Sequence, residues 1–546
     1  MITRLLCIVA LSLATFAQAA RSPSSGDAYQ MAGVVVDSVS GQPLNGAKVS
    51  IYLSEKPELA NRVYTSADGR FSFSGLAAGK YTLMGSALGY RTQGFHQHGD
   101  YFIGIAVGPD LDSEHITFGL VPDARIEGTV TDDDGEPVRN ATVALYRRTH
   151  EAGRQQTQQM GGTATDDRGH YLFSHLAPDI YFVAVSARPW YAQYSGAGEP
   201  APDADNASRI AEERAPLEVA YPMTFYPSAE ESSGATPVTL QPRDRVTADI
   251  AVRAVPAVHL RIRTVDANSQ NEGRGFPRVS QRIFEGTLVP VMSSQGFTAS
   301  SGVYEYTGIA PGHYVIEMPD GSGKGRAGWY KELDLSGTVE LNAAENPPLA
   351  SVSGVLTFEG AGRPSGKVYV VLANRTSTET FVAEVKPKGA FEFSEMEIRP
   401  GTYDVLLNVA QDFQLKSLQA RGARVNGQTL VISGGSVQLA ATATHALARI
   451  NGMVLRDDKP YPGAMVVLVP SDPTRNLTLF RRDQSDSDGT FSLREVLPGT
   501  YTVIALENAW DLDWASPSTL QPYLKNGTPI EVSGEGKLSI KVQLQR

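Results

Sequence analysis

Apolar and polar residues alternate in short runs along most of this chain, and turn-forming residues separate the runs. One example is the run RFSF at residues 70–73, which follows Gly69, and another is YTL at residues 81–83, which follows Gly79. Alternation with a period of two puts every second side chain on the same face of a β-strand, and glycine permits the positive φ of a tight turn. The pattern therefore predicts strands joined by short turns.

The same phrases recur along the chain. Each group opens with an alternating run, continues through a turn and a second run, and closes with a strand marked by a tyrosine. The openings that contain a glycine are residues 32–37, 126–132, 352–356 and 450–455, and a degenerate opening without it is 258–262. The closing tyrosines are Tyr81, Tyr181, Tyr314, Tyr403 and Tyr501. A spacing of about 100 residues is too long for a solenoid repeat and suits a whole sandwich domain.

The chain is therefore predicted to be all-β, a tandem array of about five Ig-like β-sandwich modules. We number these modules one to five, and their predicted bounds are residues 30–121, 122–255, 256–350, 351–447 and 448–546. Module three is the degenerate copy. Module two contains a predicted inserted loop, residues 188–245, which is rich in Ala, Pro and acidic residues. The aromatics in this loop favour partial order over full disorder.

Residues 1–19 are predicted to be a signal peptide. Arg4 provides the positive start, residues 5–16 are apolar, and residues 17–19 form a small-x-small cleavage site. The single cysteine, Cys7, lies inside this segment. The mature protein then has no thiol, which excludes disulfides, zinc-thiolate sites and cysteine nucleophiles. No later run reaches the ~18 apolar residues of a membrane span, so we predict an exported protein, periplasmic or extracellular.

The charge balance argues against nucleic acid as a partner. The formal net charge is −11, and the basic residues are spread along the chain without forming a block. Phosphate binding needs clustered Lys and Arg. The negative charge is interpreted as keeping an exported protein soluble.

The sequence also lacks the motifs of common hydrolases. Neither H-E-x-x-H nor G-x-S-x-G occurs in it. Residues 323–328 match G-x-G-x-x-G, but they follow a turn and not a buried strand, so we interpret them as a hairpin loop. The prediction is a protein without catalytic residues or cofactor.

Two kinds of polar cluster could suggest a metal. Residues 166–169 and 486–489 place carboxylates beside a glycine, as calcium loops do, but no distal bidentate acid is evident, so turn chemistry is favoured. His96 and His98 could share one face of a strand, but flanking glycines favour an exposed loop, and no third ligand is evident. We predict no metal site.

The recurring phrases resemble those of a known family. The G-x-V opening, the G-x-P-x-x-(N/G)-A turn, the D-G-x-F-x-F hairpin and the L-x-P-G-x-Y closing strand are similar to the carboxypeptidase regulatory-like, or prealbumin-like, domain. Modules one, two and five carry this set almost whole, module four carries part of it, and module three carries little. The arrangement also resembles exported bacterial proteins that string such domains together. The resemblance implies a seven-stranded Ig-like sandwich per module, carbohydrate binding as the usual activity of the fold, and no catalysis by these domains.

Aromatic residues after the closing tyrosines are the candidate site. Tyr90, Trp190 and Trp510 each follow their closing tyrosine by nine residues, and Tyr191 and Trp514 lie close by. Such rings can stack on the apolar faces of sugars, while the alternative is packing at the end of a sandwich or against the next module. The leading hypothesis is a non-catalytic exported protein that binds carbohydrate or another cell-envelope component. The alternative is a spacer, stalk or protein-interaction scaffold without a small ligand.

Overall fold

The computed structural model describes part of the chain, and every structural statement below refers to that part. The described residues are 28–54, 56–150, 153, 155–193, 217–263, 277–284, 286–291, 294–298, 303–319, 327–342, 349–360, 362–377, 379–393, 398–409 and 413–546. The predicted signal peptide, the middle of the predicted inserted loop and most of the G-x-G-x-x-G segment lie outside the described residues.

Module one forms two packed sheets. Its strands are β1 (Tyr29–Asp37), β2 (Lys48–Leu53), β3 (Lys56–Tyr64), β4 (Arg70–Leu76), β5 (Gly79–Ser86), β6 (Gln93–Gly94), β7 (Gly104–Val107) and β8 (Ile116–Leu120). One sheet has the order β4-β1-β8, and the other has the order β3-β2-β5-β6 with β7 also paired to β5.

Module two repeats this plan. Its strands are β9 (Ala124–Thr131), β10 (Thr142–Thr149), β11 (Gln156–Ala164), β12 (His170–Leu176), β13 (Ile180–Ser186), β14 (Val219–Ala220), β15 (Thr224–Phe225), β16 (Val238–Thr239), β17 (Arg245–Thr247) and β18 (Ile250–Ala251). The sheets are β12-β9-β17, with β18 also on β9, and β11-β10-β13-β15, with β16 also on β13. The strand β14 pairs with β19 (Val255–Pro256) at the predicted boundary with module three.

Modules three and four also have two sheets each. The strands of module three are β20 (Val258–Arg263), β21 (Arg278–Ile283), β22 (Thr287–Pro290), β23 (Ser294–Thr298), β24 (Val303–Ile309), β25 (Gly312–Pro319), β26 (Ala327–Leu335) and β27 (Val339–Asn342), in the orders β23-β24-β20-β27 and β22-β21-β25-β26. Those of module four are β28 (Ala350–Glu359), β29 (Val368–Asn374), β30 (Thr380–Glu384), β31 (Ala390–Glu392), β32 (Gly401–Val409), β33 (Gln414–Arg421), β34 (Arg424–Asn426), β35 (Thr429–Ile432) and β36 (Gly435–Thr444), in the orders β31-β28-β36-β33 and β30-β29-β32-β35-β34.

Module five differs by a helix and by a connection between its layers. Its strands are β37 (Ala448–Arg456), β38 (Lys459–Pro460), β39 (Met465–Pro470), β40 (Arg481–Gln484), β41 (Thr490–Val496), β42 (Gly499–Leu506), β43 (Thr528–Val532) and β44 (Gly536–Gln545), and its helix is α1 (Pro517–Leu524). The long strand β44 pairs with both β37 and β42 and so joins the two layers into one sheet.

A tyrosine contact is common to all five modules. The hydroxyl of each closing tyrosine donates a hydrogen bond to the backbone carbonyl four residues upstream. The acceptors are Ala77, Ala177, Ala310, Arg399 and Leu497, at 3.0, 3.0, 2.6, 2.9 and 2.8 Å. This contact, known as a tyrosine corner, holds the start of the strand against the preceding turn, as in other sandwich folds.

The prediction of an all-β chain of tandem sandwiches is confirmed. The exact boundaries of the modules stay predictions.

The glycine of the opening phrase has a packing reason. Gly33 stands opposite Phe71 in the register of β1 and β4, and β8 runs parallel to β1 on the other side. A Cβ on Gly33 would lie 2.1 Å from the carbonyl oxygen of Ile116, and one on Gly128 would lie 2.3 Å from that of Ala248. A side chain would therefore collide with the last strand of the module. Glycine at this position therefore permits the close approach of these two backbone segments.

Candidate functional site

The turn of module five at residues 486–489 contacts module one. The Oδ1 atom of Asp486 accepts a hydrogen bond from the backbone N–H of Gly104 at 2.8 Å, and its Oδ2 atom forms an ion pair with Lys80. Ser487 N–H donates to the carbonyl of Gly104 at 3.0 Å, and Ser487 Oγ accepts from Ala106 N–H at 2.9 Å. The turn therefore binds the backbone of β7 much as an added strand would.

An aromatic group lies beside this turn. The guanidinium carbon of Arg482 lies 4.5 Å from the ring centre of Tyr101, 5.5 Å from that of Trp510 and 4.7 Å from that of Trp514. The Trp510 ring also stacks on the His98 imidazole, with 4.6 Å between centres and 6° between planes. A partly buried cation among aromatic faces is a favourable arrangement, worth about 0.5–2 kcal/mol per contact. These rings join modules five and one.

Trp514 also joins module five to module two. Its Nε1–H donates to the carbonyl of His150 at 3.0 Å, and the side chain is 9% exposed. Ala515 N–H donates to the carbonyl of Gly153 at 2.8 Å, and Asp513 Oδ1 accepts from Gln155 N–H at 2.8 Å. Module five thus contacts two modules that precede it by several hundred residues of chain.

The apolar pattern of β39 explains why this surface is covered. Every residue of the strand is buried, so it has no solvent face. Met465, Val467 and Val469 lie on the side away from the sandwich core and pack with Trp514 and with Leu520 of the helix α1. Burial of such side chains is worth about 1.5–3 kcal/mol each relative to exposure. The helix and the tryptophan are therefore a cover for an apolar sheet face.

We call this contact region the module five junction; it consists of residues 80, 98, 101, 104–106, 150, 153 and 155 together with residues 482–490 and 510–515. Burial changes the ionisation of several of its residues. Burial raises the pKa of Asp483 to about 6 and raises the pKa of Asp486 despite the opposing effect of Lys80. Burial also lowers the pKa of the His98 imidazole. All three shifts favour the uncharged form, as expected where protein replaces water.

The five predicted site residues lie in three places. Trp510 and Trp514 lie together in the module five junction, where other side chains cover their rings. Tyr90 lies between modules one and two: its hydroxyl donates to Asp37 at 2.7 Å, and Asp37 also pairs with Arg243. These three residues pack against neighbouring modules, which is the alternative to sugar stacking that the sequence left open.

Trp190 and Tyr191 form a separate, accessible pair. The Trp190 side chain is 87% exposed, and its ring meets that of Tyr191 edge to face at 5.7 Å. Burial raises the pKa of the Tyr191 hydroxyl, and the nearby carboxylate of Asp133 adds to the effect. Whether any of the five aromatics binds a ligand stays a prediction.

Sequence reasoning missed the polar half of the module five junction. The prediction of an exposed loop at His96 and His98 is wrong for His98, which is half-buried under Trp510. Arg482 and Lys80 had no motif to mark them. The available signal was compositional, since an arginine pair, Arg481 and Arg482, shortly precedes the acidic turn.

Neighbouring modules also contact one another along the chain. Phe284 of module three packs on Tyr146 and Phe182 of module two, with 5.3 and 5.2 Å between ring centres. Arg399 of module four pairs with Glu317 of module three. Between modules four and five, Gln414 Nε2–H donates to Glu495 at 2.6 Å. With the module five junction, these contacts connect all five modules in a closed circuit.

Two further features of the described residues concern metal ions and membranes. Among their side chains, no group of three His, Cys, Asp or Glu is arranged to hold a metal ion. No helix in the described part is long and apolar enough to cross a membrane.

Two stretches of the chain match a known domain family. Residues 30–99 and 125–206 match the carboxypeptidase regulatory-like domain, which confirms the suspected family for modules one and two. A search of curated protein sequences finds no relative.

Three solved structures are similar over long stretches. The minor pilin GBS52 of Streptococcus agalactiae is 14% identical, covers 42% of this chain and 97% of its own, and has a TM-score of 0.21. The Bacillus anthracis TIE protein is 10% identical, with 96% and 75% covered and a TM-score of 0.17. The shaft pilin SpaA of Lactobacillus rhamnosus GG is 10% identical, with 42% and 98% covered and a TM-score of 0.19. These scores are too low to transfer an arrangement or a role to this chain.

Proposed function

We propose that this chain, which contains two carboxypeptidase regulatory-like domains, is a non-catalytic exported protein whose five sandwiches act as one binding scaffold at the cell envelope. The observation that carries the proposal is the module five junction, where Arg482 contacts Tyr101 of module one and Trp514 contacts His150 of module two. A stalk needs contacts only between consecutive modules. A contact between the last module and the first two instead fixes the orientation of all five modules relative to one another.

The energetics of the junction favour a lasting contact. It combines backbone hydrogen bonds, the ion pair of Lys80 with Asp486, and the aromatic group around Arg482. Contacts between domains of one chain also avoid most of the association entropy that two separate molecules lose. Modest pairwise energies are therefore sufficient to hold the modules together.

Small-angle scattering of the purified chain tests the scaffold. We expect a radius of gyration that fits modules in mutual contact, and a larger one for Arg482→Glu, which puts a carboxylate among the three aromatic rings. Arg494→Glu is the matched control, since Arg494 is exposed on β41 of the same module. An extended profile for the unaltered chain, or equal profiles for both variants, would contradict the proposal.

A second function has its own support. The exposed Trp190 ring, braced by Tyr191, is the kind of flat apolar surface on which a sugar ring stacks. We propose this pair as a carbohydrate site of the scaffold, on the predicted inserted loop of module two. The other three aromatics would be available to a ligand only if the modules separated.

A glycan array tests this second function. Trp190→Ala should abolish binding of any neutral glycan that the unaltered chain retains, while Trp190→Phe, which keeps a ring, should keep part of it. Trp510→Ala serves as the control for a tryptophan inside the junction. Neutral-glycan binding that survives Trp190→Ala, or the absence of binding to every neutral glycan, would remove the pair as a site.

A further inference from the structure

The outer face of one sheet of module one is polar and open. Along β2, Val49 and Ile51 point into the core, so Lys48, Ser50 and Tyr52 point the other way. A half-buried antiparallel sheet normally shows this alternation, and its outward residues are free to vary. The residue types at these outward positions can therefore indicate what this face binds.

Cross-strand register places two rows of side chains on this face. In one row, Lys48 of β2 stands between Tyr64 of β3 and Ser86 of β5. In the next row, Ser50 stands between Arg62 and Met84. Diagonal neighbours on one face lie about 7–8 Å apart, so Lys48 and Arg62 can reach the same bound group with their long side chains.

A cavity of about 230 Å³ lies between these rows. It is lined by Lys48, Ser50, Tyr52, Arg62, Met84 and Ser86, among others. This is smaller than the pockets of about 300–1,000 Å³ that enclose whole drug-sized ligands, so the cavity suits one unit of a longer chain. Ser50 lies at its floor with 6% exposure.

The charges of the face are not compensated. Within the described part of the chain, neither Lys48 nor Arg62 lies within ion-pair distance of a carboxylate, whereas Arg70 of the same module pairs with Asp68 at 2.8 Å. Two unpaired cations side by side are unfavourable in isolation but suit an anionic ligand. They stand out further in a chain with a net charge of −11.

Equivalent faces of other modules are used differently. In module two, Tyr146 and Phe182 occupy the corresponding strands and are covered by Phe284 of module three. In module five, the corresponding face is the apolar one covered by Trp514 and α1. Module one has polar and cationic residues at these positions and no cover among the described residues.

We propose that this face of module one binds an anionic oligosaccharide through a uronate-type sugar carboxylate. Lys48 and Arg62 hold the carboxylate, Ser50 and Ser86 exchange hydrogen bonds with ring hydroxyls, and Tyr64, whose side chain is 66% exposed, lies beside the cavity as a stacking surface for the adjacent sugar. Guanidinium and ammonium groups form the stronger, charge-assisted hydrogen bonds with carboxylates. The proposal takes from the proposed function only the class of ligand, since the site is separate from Trp190.

Calorimetric titration of the purified chain with a galacturonate hexamer, and with the fully methyl-esterified hexamer, tests the proposal. The two ligands share their rings and differ in charge, so we expect binding of the acid and at least tenfold weaker binding of the ester. Lys48→Gln and Arg62→Gln should each weaken binding of the acid by about tenfold to a hundredfold, the range for a lost hydrogen bond to a charged group. Lys388→Gln, at an exposed lysine of module four, is the control and should leave binding unchanged.

The remaining outcomes are decisive as well. Equal binding of acid and ester, no binding of the acid, or full affinity in both variants would overturn the proposal. Inorganic phosphate that displaces the hexamer at equal concentration would show an anion site without sugar recognition and would also overturn it. Trp190→Ala should not change this binding, so a failure here and a failure of the module two site are distinguishable. A thermal melt of each variant verifies folding, because exposed substitutions seldom change stability.

Discussion

Two turns with the same local sequence pattern have different roles in this molecule. Residues 166–169 of module two and 486–489 of module five both end in a glycine with positive φ, +72° at Gly169 and +76° at Gly489. Both close with a hydrogen bond from the glycine N–H to the carbonyl of the first Asp, at 3.0 and 2.8 Å. As isolated hairpins they are nearly identical.

Their carboxylates nonetheless point to different partners. Asp166 accepts hydrogen bonds from the backbone N–H groups of Arg168 and His170 at 2.9 and 2.8 Å, so it caps its own turn. Asp486 instead accepts from Gly104 of module one, and Asp488 caps the turn in its place by accepting from Thr490 N–H at 3.0 Å. The second acid of the module five turn frees the first to bind another module. Local sequence fixes the turn, and the neighbouring module decides how its acid is used.

The largest effect is expected from replacing the positive-φ glycine that the two turns share. Gly489→Val should lower the free energy of unfolding of module five by about 2–5 kcal/mol, from strain at positive φ and a Cβ that would lie 2.8 Å from the Cβ of Pro460. Gly169→Val should behave alike in module two, where Pro137 lies 3.2 Å away. Urea unfolding measures both. Gly161→Val, at a strand glycine with open space around it, is the control, and equal costs at all three positions would refute the argument.

The next largest effect should distinguish the two turns, because only Asp486 contacts another module. Asp486→Ala leaves Gly104 N–H without its acceptor and removes one carboxylate partner of Lys80, so it should lower the free energy of unfolding by about 1–3 kcal/mol. Asp166→Ala removes an exposed cap and should have a much smaller effect. Hydrogen exchange at Gly104 gives the specific measurement, because its amide should exchange faster in Asp486→Ala only. Unchanged protection at Gly104 would mean that the carboxylate does not hold module one.

The dependence on pH should have opposite signs at the two turns. Hydrogen bonds from His170 and Arg168 lower the pKa of Asp166, so its contribution is present above pH about 4 and is lost as pH falls through the lowered pKa. Burial raises the pKa of Asp486, so stability is lost as pH rises from about 4 through the raised value.

Asparagine variants make this difference measurable. The melting temperature of Asp486→Asn relative to the unaltered chain should rise with pH across this window, because asparagine never acquires the buried charge. That of Asp166→Asn should fall with rising pH, because only the carboxylate gains there. Slopes of the same sign at both positions would contradict the assigned environments.

Sequence reasoning reached the fold because its signals are local. The opening glycines and the aromatics that follow the turn glycines are each visible in the chain as local signals, and in module one Gly33 and Phe71 become register partners on neighbouring strands. The tyrosine corner likewise spans four residues. Such short-range devices recur in every module, so the tandem sandwich could be predicted.

The arrangement of the candidate site could not be predicted in the same way. Trp510 and His98 are in contact across some four hundred residues of chain, and no periodicity in either segment specifies the other. The sequence places an aromatic nine residues after three of the closing tyrosines, but it does not specify what that ring contacts. Tyr90 and Trp510 pack between modules while Trp190 faces solvent, although the three share one sequence position. What differs is the neighbouring module and not the local pattern.

The smallest expected effect is none, and it concerns calcium. A calcium ion needs six or more oxygens directed at one point. The Asp166 oxygen Oδ1 is already shared by two N–H groups, and Asp486 is engaged by Gly104 and by Lys80, whose ammonium also lies 3.7 Å from Asp488. A lysine in that position repels a second cation. Millimolar calcium should therefore leave the melting temperature of the chain unchanged, since only a ligand that prefers the folded state raises it. A rise of several degrees that disappears in Asp486→Ala, but not in Asp166→Ala, would show that the module five turn exchanges Lys80 for a metal ion.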